Sequence, residues 1–169
     1  MSYLPSSPEL NSLAGVLTKY PRRGVLLFKL LEDVGRNFSP LGKESCDLIM
    51  TYASALNHCY FNDNGHQGKA KASGSHAKLI EQLQTDMDST TVDEQLKPLL
   101  RFVKKLTLNP GDITFEDAQT IFDAGWDEQA FLESVCLCAI ANCMNRFARG
   151  IGIHTVGTRN FLLNNANSH

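Results

Sequence analysis

The sequence has no long apolar run. Its longest largely apolar stretches, "GVLLFKLL" and "VCLCAIA", fall far short of the roughly 20 residues that a membrane-spanning helix needs. It has no surplus of positive charge either: 16 Lys and Arg against 18 Asp and Glu leave a net charge of −2, without a basic stripe. Nothing electrostatic therefore favours a nucleic-acid partner. The pairs "RR" at 22–23 and "KK" at 104–105 read as solvated helix faces. The opening "MSYLPSSPEL" has neither a basic segment nor an apolar core, so no secretory signal is expected. Five cysteines, an odd number without the spacing of a disulfide framework, fit a reducing cytoplasm. Sustained alternation and clusters of β-branched residues between turns are missing too, which argues against a sheet.

What is present is helical periodicity on a globular composition, 43% hydrophobic and 20% charged in 169 residues. That is enough chain for one domain with a real core, and no linker or low-complexity tract divides residues 1–169. Only "NNANSH" at 164–169 reads as a frayed tail. From Pro21, "PRRGVLLFKLLEDVGRN" places apolar residues at 25, 28, 31 and 34 behind an early proline. "SPLGKESCDLIMTYASALN" continues the pattern through Leu41, Leu48, Tyr52 and Leu56, with Ser39 available as an N-cap. "TVDEQLKPLLRFVKKL" carries Leu96, Leu99, Leu100, Val103 and Leu106, and Pro98 marks either a first turn or a kink. Pro110 and Gly111 break the chain, Thr114 is set to cap with Asp117, and Gly125 ends the next segment. "DEQAFLESVCLCAIANCMNRFARG" then opens with acids and closes with arginines, as the helix dipole favours. Its middle is apolar almost all round, which predicts a place at the centre of the core or in a subunit interface. The whole predicts an all-α domain of about seven or eight helices.

Chemistry concentrates in "HCYFNDNGH", residues 58–66. Cys136, Cys138 and Cys143 on the apolar segment, and Cys46 before it, read as packing thiols. In "CLC" the two thiols point to different sides of a helix, unlike a zinc knuckle or a redox pair. Cys59 differs because His58 adjoins it and His66 follows seven positions later. On a helix, seven residues make almost two turns, so Cys59 and His66 share a stripe about 10 Å apart, with Asn62 neighbouring both. "NDNG" at 62–65 is equally a turn signal. A metal reading would use His58, Cys59, His66 and Asp47, but adjacent helical residues diverge by about 100°, so the expectation is no metal and no cofactor. His76 and His154 have no partner in the sequence and read as solvated or packed.

The spacing Cys59, Asn62, His66 resembles the Cys-x-x-Cys-x-x-x-His motif of the alkylhydroperoxidase D and carboxymuconolactone decarboxylase superfamily. That motif has a glutamate twelve positions before its first cysteine, where this sequence has Asp47. "LLRFVKKLTLNPGDITFEDAQTIFDAGWDEQAFLE" and "NCMNRFARGIGI", with Asn142, Asn145, Arg146, Gly150 and Gly152, resemble its peroxidase-related subgroup. The resemblance spans roughly residues 9–153 and implies an alkylhydroperoxidase D-like helical bundle that forms a homo-oligomer: a dimer, trimer or hexamer. In the family the second cysteine attacks peroxide, the first resolves it as a disulfide, and histidine and glutamate relay the proton. Here Asn62 replaces the second cysteine and cannot be oxidised. The resemblance thus implies an antioxidant, peroxiredoxin-type enzyme reduced to the single motif thiol Cys59, serviced by His66, Asp47 and an external thiol reductant. It leaves open a non-redox acid–base enzyme of the decarboxylase type acting on a small molecule, and an inactive oligomeric member.

Overall fold

The computed structural model describes residues 2–34, 39–59 and 74–153. Among them are seven α-helices and no strand, so the all-α expectation is met. Helix α1 (Leu13–Lys19) is capped by Ser12, whose hydroxyl accepts the Gly15 N–H at 3.2 Å. Helix α2 (Pro21–Val34) follows at once, with proline at its first position. A Cβ at Gly24 would lie 2.2 Å from the Leu17 carbonyl oxygen, so only glycine lets the two helices approach this closely. That contact turns Leu27 and Leu31 inward. Val25, expected on the apolar stripe, is consequently 51% exposed.

Helix α3 (Gly42–Leu56) buries Leu48, Tyr52 and Leu56 as its periodicity predicts, with Leu41 just before it. Ser39 is not its N-cap. Its carbonyl accepts the Gly42 N–H at 3.1 Å, and its hydroxyl accepts from the Leu41 N–H at 3.3 Å and from the Cys46 thiol at 3.2 Å. The helix begins only after that turn, at Gly42, whose φ of 72° suits glycine.

Helices α4 (Gly74–Thr85) and α5 (Leu96–Leu108) pack on α3. Pro98 sits in the first turn of α5, where its missing N–H costs no helical bond. A 3-10 turn (Pro110–Asp112) leads to α6 (Phe115–Asp123). Its capping box forms as predicted, the Thr114 N–H donating to Asp117 at 2.8 Å and the Thr114 hydroxyl accepting from the Asp117 N–H. The Lys105 ammonium, 2.6 Å from the Asp117 carboxylate, holds that carboxyl below its ordinary pKa, helped by Thr114. Gly125, at φ 93°, ends this segment.

Helix α7 (Glu128–Gly150) is 23 residues, hence about 34 Å, long, and Asp127 caps it by accepting the Ala130 N–H at 2.7 Å. It is the hub of the domain: α2, α3, α5 and α6 all rest on it. Leu137, Cys138 and Ala141 join α3, α4, α5 and α6 in one core cluster. Ile140, Met144 and Ala148 join α1 and α2 in a second. Phe131 meets Phe102 and Phe122 edge-to-face at 5.3 and 5.4 Å, which ties α5 and α6 to its first half.

The last carbonyls of α4 have no partner within the helix, and neighbouring helices supply one. The Tyr52 hydroxyl donates to the Leu83 carbonyl at 3.0 Å, and the Lys104 ammonium to that of Gln84 at 3.1 Å. Burial pushes the Tyr52 phenol up to about 12. A proton that the folded state holds more tightly stabilises fully below the unfolded pKa of about 10, and its contribution is lost as pH rises towards the folded value. Tyr52→Phe is therefore expected to cost about 1 kcal/mol at pH 7. The variant should also lose less stability than the parent between about pH 10 and 12. Urea denaturation across that pH range measures both effects.

Candidate functional site

The site is built at the carboxyl end of α3. The Cys59 N–H donates to the Ser54 carbonyl at 2.9 Å and the His58 N–H to that of Ala55 at 2.9 Å. This pair of bonds is a Schellman motif, with Asn57 as C-cap and His58 in the left-handed position that glycine usually fills. His58 has a φ of 53° and is exposed, whereas Cys59 is buried, at 4% exposure. Arg149, from the last turn of α7, donates to the His58 carbonyl at 2.8 Å. The arginines at the end of α7 complement that helix's own dipole, and Arg149 also completes the end of α3.

Polar side chains line the seam between α3 and α7. Asn57 donates to Asn142 Oδ1 at 2.9 Å, and Arg146 donates to the same oxygen. Asn142 in turn donates to the Cys138 carbonyl at 2.9 Å, to the Thr107 hydroxyl at 3.2 Å and to the Cys138 sulfur at 3.4 Å. One turn on, buried Asn145 donates to the Ser54 hydroxyl at 3.1 Å. Its Oδ1 is buried without a hydrogen-bond partner among the described residues. Ser54 therefore binds Asn145 through its hydroxyl and Cys59 through its carbonyl. Asn142, Asn145 and Arg146 were visible in the sequence only as part of "NCMNRFARGIGI". Ser54, Asn57 and Thr107 carried no signal there, and Arg149 only that of a helix-dipole complement, because each acts across helices far apart in the chain.

Asp47 is exposed on α3, nine residues before the end of the helix and thus about 13.5 Å from it along the axis. Asn62 and His66 lie outside the described residues, as does the "NDNG" turn signal, so Cys59 and Asp47 are the members of the expected set with a described position. His154 and the expected tail at 164–169 are likewise outside. Among the described residues no three His, Cys, Asp or Glu side chains converge as metal ligands, and no helix is long and apolar enough to cross a membrane.

The other thiols separate by environment. Cys46 and Cys138 are buried as expected, and burial raises the pKa of both, leaving them thiols packed in place. Cys143 departs from the packing reading and is exposed, with Cys136 intermediate. Five residues beyond Cys138, it lies about 140° further round the helix, on the outward side.

The class of fold is thereby defined: an all-α bundle with a cysteine at the end of its third helix and a long central helix behind it. Solved structures with the same helical fold include two peroxidase-related proteins. One is an uncharacterized peroxidase-related protein from Silicibacter sp. TM1040, with a TM-score of 0.66 and 19% identity over 82% of this chain and 74% of that one. The other is described as an alkylhydroperoxidase AhpD core, a peroxidase-related protein from Ralstonia eutropha JMP134, with a TM-score of 0.67 and 17% identity over 88% and 77% of the two chains. The chain thus has the alkylhydroperoxidase D-like fold that its motifs resemble. No family model matches the sequence, and no curated protein matches it significantly.

His58 makes the end of α3 directly testable. An L-residue in the left-handed region costs roughly 1–2 kcal/mol, against a glycine entropy penalty of about 0.5–1 kcal/mol. His58→Gly is therefore expected to stabilise the protein by about 0.5–1 kcal/mol, seen as a higher midpoint in thermal denaturation.

Proposed function

We propose that this protein is a peroxidase-related oxidoreductase that reduces a peroxide through Cys59, the single thiol of a degenerate motif. The observation that carries the reading is the placement of Cys59. Two hydrogen bonds fix the last turn of α3 beneath it, on a scaffold shared with peroxidase-related proteins. In the first step the Cys59 thiolate attacks one oxygen of a hydroperoxide. The O–O bond breaks, the alcohol leaves with a proton supplied by His66, and Cys59 becomes a sulfenic acid. An external thiol then attacks that sulfur, giving water and a mixed disulfide. A second external thiol restores Cys59 and departs as the oxidised disulfide. Asp47 orients His66, and Asn62 hydrogen-bonds between thiol and imidazole. The cycle uses no cofactor.

The exposed carboxylate of Asp47 favours a second reading, acid–base chemistry on a small molecule by Asp47 and His66 without the thiol. Peroxide consumption with dithiothreitol as donor separates the two. Wild type should turn over slowly and Cys59→Ser not at all. Asn62→Cys should raise the rate on the order of tenfold, since a thiol is a far better nucleophile than a carboxamide. Peroxide treatment of that variant should form a 59–62 disulfide, read by mass spectrometry as the loss of two hydrogens. A folded Asn62→Cys protein with neither gain nor disulfide would sink the thiol reading. Turnover of a small substrate that survives alkylation of Cys59 would favour the second.

A further inference from the structure

The side chain of Asn145 presents a buried acceptor to the end of α3. Asn145 is 1% exposed, and its Nδ2 donates to the Ser54 hydroxyl. That hydroxyl gives its own proton to the Met50 carbonyl at 2.8 Å, so toward Asn145 it can only accept. The orientation of the amide is thereby fixed, and Oδ1 is left buried without a hydrogen-bond partner among the described residues. Buried polar atoms are almost always satisfied, because an orphan bears the full cost of leaving water.

The neighbour placed to use this oxygen is Cys59. Ser54 and Cys59 stand at C3 and C″ of the Schellman motif, positions whose side chains frequently meet. Cys59 thus comes onto Ser54 from the end of the helix, and Asn145 comes onto it from α7. Resting on the peroxide reading, we infer that Asn145 Oδ1 accepts the hydroxyl of the Cys59 sulfenic acid. The oxygen gained from peroxide extends the reach of the sulfur by one bond. The hydrogen bond matters because Asn62 stands where a resolving thiol would be, so the sulfenic acid must last until an external thiol arrives. A second hydroperoxide destroys it through its deprotonated form. The sulfur lone pair attacks one peroxide oxygen, the O–O bond breaks, the alcohol leaves with a proton, and a sulfinic acid results. A carbonyl oxygen can bond only to the protonated form, so it holds the proton in place and slows that step. The sulfur stays open to attack by the external thiol.

The experiment treats the full chain with excess tert-butyl hydroperoxide, without reductant, and follows Cys59 by mass spectrometry. Wild type should hold a sulfenic acid that dimedone traps, and pass slowly to the sulfinic acid. Asn145→Leu, similar in shape but without the oxygen, should overoxidise about tenfold faster, the effect of one hydrogen bond. Ser54→Ala breaks the same link across the seam but keeps the oxygen, and should stay close to wild type. In crystals of the treated wild-type chain, which need no variant to fold, the sulfenic oxygen should lie within about 3 Å of Asn145 Oδ1. A sulfenic oxygen turned away from Asn145, equal overoxidation in wild type and Asn145→Leu, or a rise as large in Ser54→Ala would each overturn the inference and leave the peroxide reading standing. A wild-type Cys59 that gives no dimedone adduct would overturn both.

Discussion

The parallel contact between α3 and α7 is what the rest of the molecule depends on. Contacts climb both helices together: Glu133 acts on the Cys46 thiol, Ser54 meets Asn145, and Arg149 reaches the His58 carbonyl. Most of the seam is apolar, and apolar packing alone tolerates slippage. The polar pairs do not, because sliding either helix by a turn would take buried Asn145 away from the Ser54 hydroxyl, at a cost of about 1–3 kcal/mol for an orphaned amide. Ser54–Asn145 and Asn57–Asn142 therefore help the apolar residues to set the register of α7 on α3.

That register also sets the surroundings of the cysteines on α7. With α7 in place, Cys138 faces Thr107 and Val103 of α5, Cys46 faces Ser39, and both are held as packed thiols. Cys59 is placed differently, beyond the last turn of a helix whose end is closed by its own backbone and by Arg149. Four of the five cysteines thus belong to α3 and α7 themselves, and the remaining one stands two residues beyond the C-cap of α3. The same packing turns Leu132, Ala139 and Cys143 away from the core, and among the described residues they are exposed.

Wherever a local rule was enough, the sequence alone determined the structure. Thr114 with Asp117, Gly125 after α6, Pro98 in a first turn and the leucines of α5 all act within a few residues of themselves, and they appear as read. The helical class and the resemblance to the alkylhydroperoxidase D-like fold were legible for the same reason, since periodicity and motif spacing are local. Tertiary structure decided what depends on contacts between distant segments. Gly24 against Leu17 rotated α2 and exposed Val25. One local reading failed for a local reason: a turn closed on Ser39 by Leu41 and Gly42 competed with capping, so α3 starts at Gly42. Residues 54, 57, 107 and 149 became part of the site only when α3, α5 and α7 met, because an asparagine or threonine takes its role from the partner that folding brings to it.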